Sequence, residues 1–273
     1  MQPYSHLTLT VGDIETHYLE AGKGPDLVLL HGGEYGGSAE TTWKLNMESL
    51  GRDFHVIAPD MLGFGQTDKI YSFSDPAGFR IKHLRRFLKA IGVEKAYFVG
   101  SSSGGGTILR AAVMDSLPFP IEKMVTICGN ASLFKTEAQN RLENYSASLE
   151  NMEEIMGLLF HDRKWLSRDL IRERFEVSLI PGSWETLSAT RLRRPGYERT
   201  PRSDAFVKRL ASVRIPLLIM SSAHDLLNPK DWDKQFQTMI PGSRVHRFLN
   251  SAHEPQIEEA EEFERVLRAF LIG

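Results

Sequence analysis

Cys128 is the only cysteine among the 273 residues, so an intramolecular disulfide is excluded. Neither sign of charge is in large excess, because the sequence has 33 basic and 35 acidic residues and a net charge of -2. Such a chain has no strong field to attract nucleic acid or an anionic membrane. No run reaches the roughly 20 apolar residues that cross a bilayer, and the first residues lack a basic stretch followed by an apolar one. We therefore expect a cytoplasmic protein with no nucleic-acid or membrane partner.

Motifs for metals and nucleotides are missing as well. The sequence has no His-Glu-x-x-His, no cysteine cluster and no Gly-x-x-x-x-Gly-Lys followed by Ser or Thr. We therefore predict no metal and no cofactor.

What is present is an alternation of short apolar runs with longer stretches of helical periodicity. This order is typical of a mostly parallel sheet covered by helices. The predicted strands are 7–11, 14–19, 26–30, 55–58, 96–99, 124–128, 216–221 and 244–249.

The alternation stops after Cys128. Residues 135–202 show helical patterns without strand candidates, and strands resume at about 213. We predict a helical cap at 135–202, inserted into a core formed by 1–134 and 203–273.

The segment Gly100-Ser101-Ser102-Ser103-Gly104 follows a predicted strand and precedes a helix that we expect to open at Gly105-Gly106-Thr107. This is the context that the motif Gly-x-Ser-x-Gly requires, with the serine on a sharp turn and small residues beside it. A serine hydroxyl is a weak nucleophile and needs a base, which is in turn oriented by an acid. We therefore predict Ser102 as a nucleophile.

Acid and base candidates follow later in the chain, each after a predicted strand. Asp225 comes after the strand at 216–221, and His253 after the strand at 244–249. Ligands of open α/β sheets bind at these carboxyl ends. We predict His253 as the general base and Asp225 as its acid; His224 would reverse the chain order.

A tetrahedral intermediate also needs donors for its oxyanion. The loop His31-Gly32-Gly33 follows a strand at a suitable place. We predict the backbone N–H groups of Gly33 and Ser103 as the two donors, with His31 bracing the loop.

Together with the run 59–68, these motifs resemble the α/β-hydrolase superfamily over nearly the whole chain. The resemblance implies an α/β-hydrolase fold with an eight-stranded, mostly parallel sheet, flanking helices and a cap. The run 59–68, the glycines at 104–106 and the segment 169–175 are most similar to the meta-cleavage-product hydrolases. Those enzymes hydrolyse a carbon–carbon bond in vinylogous 1,5-diketo acids formed by ring fission of catechols.

The resemblance also assigns residues of the pocket. The family's cap arginine, which binds the substrate carboxylate, falls on Arg174, with a salt bridge to Glu173 or a neighbour as the alternative. The family's asparagines before the nucleophile and in the oxyanion loop are replaced by Ser101 and Thr42, respectively. Its tryptophan after the catalytic histidine is replaced by Glu254, which adds a negative charge.

Glu34 stands where the family commonly has glycine, and it either faces the pocket or lies exposed on its loop. The resemblance therefore implies hydrolysis more firmly than it implies the family's substrate.

Three functions remain open. The first is a carbon–carbon hydrolase of the meta-cleavage-product type. The second is a carboxylesterase or lactonase for a small, largely neutral substrate. The third is a small-molecule receptor with a hydrolase fold. In each case the expected partner is a small molecule, and a homodimer is left open.

Overall fold

The computed structural model describes residues 3–131, 133–192, 195–196 and 204–273. Its described residues form one eight-stranded sheet. The strands are Ser5–Val11 (β1), Ile14–Ala21 (β2), Asp26–Leu30 (β3), His55–Pro59 (β4), Ala96–Ser101 (β5), Ile121–Ile127 (β6), Leu217–Ser222 (β7) and Arg244–Phe248 (β8).

The sheet has the spatial order β1-β2-β4-β3-β5-β6-β7-β8. The β1–β2 and β2–β4 pairs are antiparallel, and every other neighbouring pair is parallel. The predicted eight-stranded, mostly parallel sheet is therefore confirmed. In the register, Leu30 pairs with Gly100 and Ser101 pairs with Ile127, so these strands end at the same edge. The loops that follow them consequently meet there.

Helices cover both faces of the sheet. In the described residues they are Ala39–Leu50 (α1), Pro76–Ala90 (α2), Ser103–Ala112 (α3), Glu137–Glu143 (α4), Leu149–Leu159 (α5), Arg168–Ser178 (α6), Ser183–Ser188 (α7), Asp204–Leu210 (α8), Trp232–Met239 (α9), Pro255–Glu258 (α10) and Ala260–Leu271 (α11).

The apolar residues of each central strand alternate between two hydrophobic cores. In β3, Leu27 and Leu29 pack with Trp43 of α1 and Phe263 of α11. Val28 and Leu30 belong to the second core, which includes residues of α2, α3 and α9. Successive side chains of a strand point to opposite faces, so an apolar run is buried on both sides. This packing holds the sheet between two helical layers.

The stretch from α4 to Arg191 contains only helical elements among its described residues, including 3-10 turns at Arg163–Leu166 and Ala189–Arg191. Met152, Ile155 and Met156 of α5 belong to the second core. The cap boundaries at 134/135 and 202/203 remain a prediction, and the second lies outside the described residues. None of the described helices is both long enough and apolar enough to cross a membrane.

Candidate active site

Ser102 occupies a strained turn between β5 and α3. Its backbone has φ 49° and ψ -110°, a region that residues with a side chain rarely adopt. The turn is held by a 2.8 Å hydrogen bond that the Ser102 N–H donates to the carbonyl of Ile127. The Ser102 side chain is not sealed in the core, because the residue is half-buried. This turn sets Ser102 at the carboxyl edge of the sheet.

The glycines of the motif are required by close backbone approaches. A Cβ on Gly100 would lie 2.3 Å from the backbone nitrogen of Gly105, and one on Gly104 would lie 2.4 Å from the carbonyl oxygen of Leu30. Helix α3 begins at Ser103, two residues before the predicted opening at Gly105-Gly106-Thr107. Glycines usually weaken a helix, but here they let its first turn pack against β3.

Asp225 and His253 form a buried hydrogen-bonded pair on neighbouring loops. Nδ1 of His253 lies 3.0 Å from Oδ1 of Asp225, and the two side chains are 3% and 1% exposed. An ionised carboxylate only accepts hydrogen bonds, so Nδ1 carries the proton. Nε2 of His253 is buried and has no hydrogen-bond partner within the described part of the chain. In the neutral ring, this nitrogen carries the lone pair that can accept a proton from a nucleophile.

The Asp225 carboxylate is held by two further donors. It accepts a 2.9 Å hydrogen bond from the Leu227 N–H and a 2.6 Å bond from the Asn228 amide. Asn228 also donates to the carbonyl oxygen of Cys128 at 2.9 Å. Sequence reasoning missed Asn228, although its position three residues after Asp225 was an available signal. These bonds orient the carboxylate toward His253.

Burial and nearby charges shift the pKa values of Asp225 and His253 in opposite directions. Burial alone would raise the pKa of Asp225, but the His253 charge and the hydrogen bonds hold it below its usual value. Burial lowers the pKa of His253, but the carboxylates of Asp225, Glu254 and Glu34 outweigh this effect and raise it to about 9. The site therefore stabilises an imidazolium strongly.

Gly33 and Ser103, the residues predicted to supply the oxyanion donors, lie next to each other. A Cβ on Gly33 would come within 2.6 Å of the Ser103 hydroxyl, so the loop after β3 touches the start of α3. His31 braces this loop, since its Nε2 accepts the Met61 N–H at 2.8 Å and its Nδ1 lies 2.6 Å from the Gly32 carbonyl oxygen. Burial lowers the pKa of His31, which favours the neutral ring that can make both bonds.

Arg174 is buried and paired inside the protein. Its Nη1 donates to Oε1 of Glu34 at 2.9 Å, with side-chain exposures of 4% and 2%. The alternative of a salt bridge with Glu173 is wrong, because Glu173 binds Lys44 instead. An exposed loop position for Glu34 is also wrong, because its side chain is only 2% exposed. Burial alone would raise the pKa of Glu34, but the Arg174 charge holds it below its usual value.

Glu254 is also buried, at 0% exposure. Its Oε2 accepts from the Gln256 amide, and its Oε1 has no hydrogen-bond partner among the residues described. Burial and the nearby charge of Glu34 raise the pKa of Glu254 to about 7. Its uncharged, protonated form is therefore favoured more than that of an exposed glutamate.

Thr42 and Ser101 each have a buried hydroxyl without a partner in the described ranges. Thr42 and Arg174 line a cleft of about 70 Å³ between α1 and the cap, whose apolar wall includes Phe160, Trp165 and Leu170. The residues lining this cleft do not include Ser102. The structure thus places Thr42 with Arg174, and it places Ser101 on β5 beneath the nucleophile turn.

Among the described residues, one group of metal-ligand types lies close together, with atoms of Cys128, Asp225 and His253 within 4.8 Å of one another. Nδ1 of His253 and Oδ1 of Asp225 are already hydrogen-bonded to each other. Burial raises the pKa of the Cys128 thiol well above its usual value, which disfavours the thiolate that metals bind. We do not assign these residues as metal ligands.

The model of the alpha/beta hydrolase family matches residues 27–266. The chain is 28% identical over 263 residues to 2-hydroxy-6-oxo-2,4-heptadienoate hydrolase of Pseudomonas putida, covering 95% of this chain and 94% of that protein. It is 29% identical over 276 residues to 2-hydroxy-6-oxo-6-(2'-aminophenyl)hexa-2,4-dienoic acid hydrolase of Metapseudomonas resinovorans, covering 98% and 91%.

A solved structure of a mutant meta-cleavage product hydrolase (CumD) from Pseudomonas fluorescens IP01, complexed with acetates, is similar with a TM-score of 0.85. The two chains are 27% identical, and the match covers 97% of this chain and 96% of that one. The resemblance to meta-cleavage-product hydrolases seen in the sequence is confirmed by these relatives.

Proposed function

Because the chain belongs to the α/β hydrolase family, we propose that it is a serine hydrolase with Ser102 as nucleophile, His253 as general base and Asp225 as the orienting acid. The observation that carries this proposal is the 3.0 Å contact between Asp225 and Nδ1 of His253, which leaves Nε2 unpartnered among the described residues. A base held in one tautomer with a free second nitrogen is what a serine nucleophile needs.

The reaction begins with proton transfer from the Ser102 hydroxyl to Nε2 of His253 while the serine oxygen attacks a substrate carbonyl carbon. The imidazolium that forms is stabilised by Asp225. The N–H groups of Gly33 and Ser103 donate to the oxyanion of the tetrahedral intermediate. Collapse of this intermediate breaks the bond to the leaving group, which takes the proton from His253. Water then hydrolyses the acyl-serine with the same base.

The proposed reaction is hydrolysis of a carbon–carbon bond next to a ketone in a vinylogous 1,5-diketo acid. The relatives' names describe 2-hydroxy-6-oxo-dienoate hydrolases. The resemblance implies that Arg174 takes the position that the family uses for the carboxylate. In such a substrate the leaving carbon is stabilised as a conjugated dienolate, which the imidazolium of His253 protonates. The products are then a carboxylic acid and a dienol.

A carboxylesterase or lactonase acting on a largely neutral substrate is the second candidate. The observation that favours it is the internal pair between Arg174 and Glu34, together with the second buried carboxyl group of Glu254. The negative charges of Glu34 and Glu254 disfavour the binding of an anionic substrate. They do not alter the groups proposed for acyl transfer.

The test is the bleaching of 2-hydroxy-6-oxo-6-phenylhexa-2,4-dienoate, with 4-nitrophenyl acetate as the ester probe. We expect bleaching that Ser102→Ala and His253→Ala each lower by about 10⁴-fold or more. Ester cleavage through Ser102 without bleaching would replace the first candidate with the second. Saturable binding without turnover, equal in Ser102→Ala, would refute the hydrolase proposal and favour a receptor.

A further inference from the structure

The loop that carries His253 is attached to the end of α5 by the backbone of His253 itself. The His253 N–H donates to the carbonyl oxygen of Leu159, the last residue of α5, at 2.9 Å. The two residues are 2% and 0% exposed. Because both are buried, separating these groups would leave a donor and an acceptor unpaired. The position of the proposed base therefore depends on residues 159–162, which we call the α5 junction.

Glu258, the last residue of α10, forms a second attachment between this junction and the loop of the proposed base. Its Oε1 accepts the N–H groups of His161 and Asp162, each at 2.8 Å, and its Oε2 accepts the N–H of Ala252 at 2.6 Å. A carboxylate can accept at both oxygens, and its hydrogen bonds are stronger than those between neutral groups. One half-buried side chain thus joins the α5 junction to the residue that precedes the proposed base.

The α5 junction also contacts the loop of the proposed acid. The rings of His161 and His224 stack, with their centroids 3.7 Å apart and an angle of 2° between their planes. His224 directly precedes Asp225, and its N–H donates to the carbonyl oxygen of Ser251 at 3.1 Å. The junction therefore touches the loops of the acid and the base, which are also hydrogen-bonded to each other.

We propose that the α5 junction positions the Asp225–His253 pair and that Glu258 is the positioning residue that couples them. A shift of the His253 loop would change both its 3.0 Å contact with Asp225 and the approach of Nε2 to Ser102. A misplacement of about 1 Å can cost about 100-fold in rate. This inference rests on the proposed function, because it assigns a role to the residues that surround the proposed base.

Glu258→Gln separates the two attachments with little change in volume. A glutamine has one oxygen and one NH2 group, so it can accept on the side of the α5 junction or on the side of Ala252, but not on both. We expect kcat to fall about 10-fold to 100-fold while KM changes less than about threefold, because the base moves and the pocket stays. The assay uses whichever of the two probes, the phenyl dienoate or 4-nitrophenyl acetate, the parent protein turns over.

Glu259→Gln is the matched control. Glu259 accepts the Asn250 N–H at 3.0 Å and the Asn250 amide at 3.4 Å, so it binds the same loop at its other end. We expect its kcat to stay within about twofold of the parent value. Equal losses of kcat in the two variants would overturn the proposal, because they would not require the α5 junction. A raised KM with an unchanged kcat in Glu258→Gln would also overturn it.

Proton NMR reports the contact between Asp225 and His253 without turnover. The Nδ1 proton of His253 is shared with a carboxylate, so it should give a resonance at low field in the parent protein and in Glu259→Gln. In Glu258→Gln we expect this resonance to move to higher field or to broaden by exchange with water. An unchanged resonance would overturn the proposal. Failure of the proposed function is a separate result, which the bleaching and ester assays report.

Amide hydrogen exchange of the parent protein decides the question if Glu258→Gln does not fold. If the α5 junction and the loop of the proposed base move as one unit, the amides of Asp162, Ala252 and His253 should have protection factors within about tenfold of one another. The Asp162 side chain is 46% exposed, so protection of its amide depends on the bond to Glu258. A larger difference, with Asp162 the least protected, would show that the junction opens by itself and would overturn the proposal.

Discussion

Arg174→Met should destabilise the protein strongly, because it leaves Glu34 buried without its counter-charge. The two side chains are 4% and 2% exposed, so water cannot replace the lost partner. Removing one member of a buried ion pair costs about 3–5 kcal/mol, and we expect a cost in that range. Glu34→Gln should cost less, about 1–3 kcal/mol, since the glutamine side-chain oxygen can still accept a hydrogen bond from Arg174.

Urea unfolding of the single and double variants at pH 7.5 measures these costs. The double variant combines Arg174→Met with Glu34→Gln. We expect its free energy of unfolding to be at least about 2 kcal/mol higher than the sum of the two single effects predicts. Lys44→Met is the control, because its pair with Glu173 is 28% and 32% exposed and should contribute no more than about 1 kcal/mol. Additive effects of Arg174→Met and Glu34→Gln would refute the reasoning.

The pH dependence of that cost has a defined sign. Arg174 holds the pKa of Glu34 below its usual value, so the pair stabilises the fold above the unfolded pKa of glutamate. This stabilisation is lost as the pH falls through the lowered folded pKa. The difference in unfolding free energy between the parent protein and Arg174→Met should therefore narrow in acid.

Two further predictions concern the catalytic loops. Gly104→Ala should reduce both thermal stability and activity, because its Cβ would lie 2.4 Å from the Leu30 carbonyl oxygen; an unchanged melting temperature would contradict this. Asp225→Asn should lower kcat by up to about 10⁴-fold and move the acid limb of the kcat/KM profile to lower pH, because the Asp225 charge raises the pKa of His253. A profile that stays in place would show that another group sets this limb.

The fold could be predicted because its signals are local. Each strand is a short apolar run, and burial on both faces makes that run continuous, as in Leu27–Leu30, where alternate side chains enter different cores. Helix α3 begins two residues earlier than predicted, because Gly104 is there for close packing against β3 and not for its helix propensity. Element type follows from periodicity, whereas exact ends depend on contacts with other elements.

The positions of Ser102, Asp225 and His253 could be predicted for a related reason. Parallel strands end at one edge of the sheet, so polar residues that follow different strands are brought near one another. The strained dihedrals of Ser102 and the glycines beside it are local consequences of that turn. Asn228, which fixes Asp225, carries a weaker signal because an asparagine in a loop has many structural uses.

The pairing of Glu34 with Arg174 could not be predicted, because it joins residues 140 positions apart through the packing of the cap on the core. Each residue alone has an ordinary interpretation: an acid on a loop and an arginine on a helix. Once both are buried, Arg174 needs a counter-anion, and Glu34 already supplies one. A resemblance can transfer the position of Arg174 from a family, but whether its charge is available to a substrate depends on the internal pair with Glu34. The chemistry proposed for Ser102 does not depend on that pair, so the proposed reaction and its proposed substrate can be tested separately.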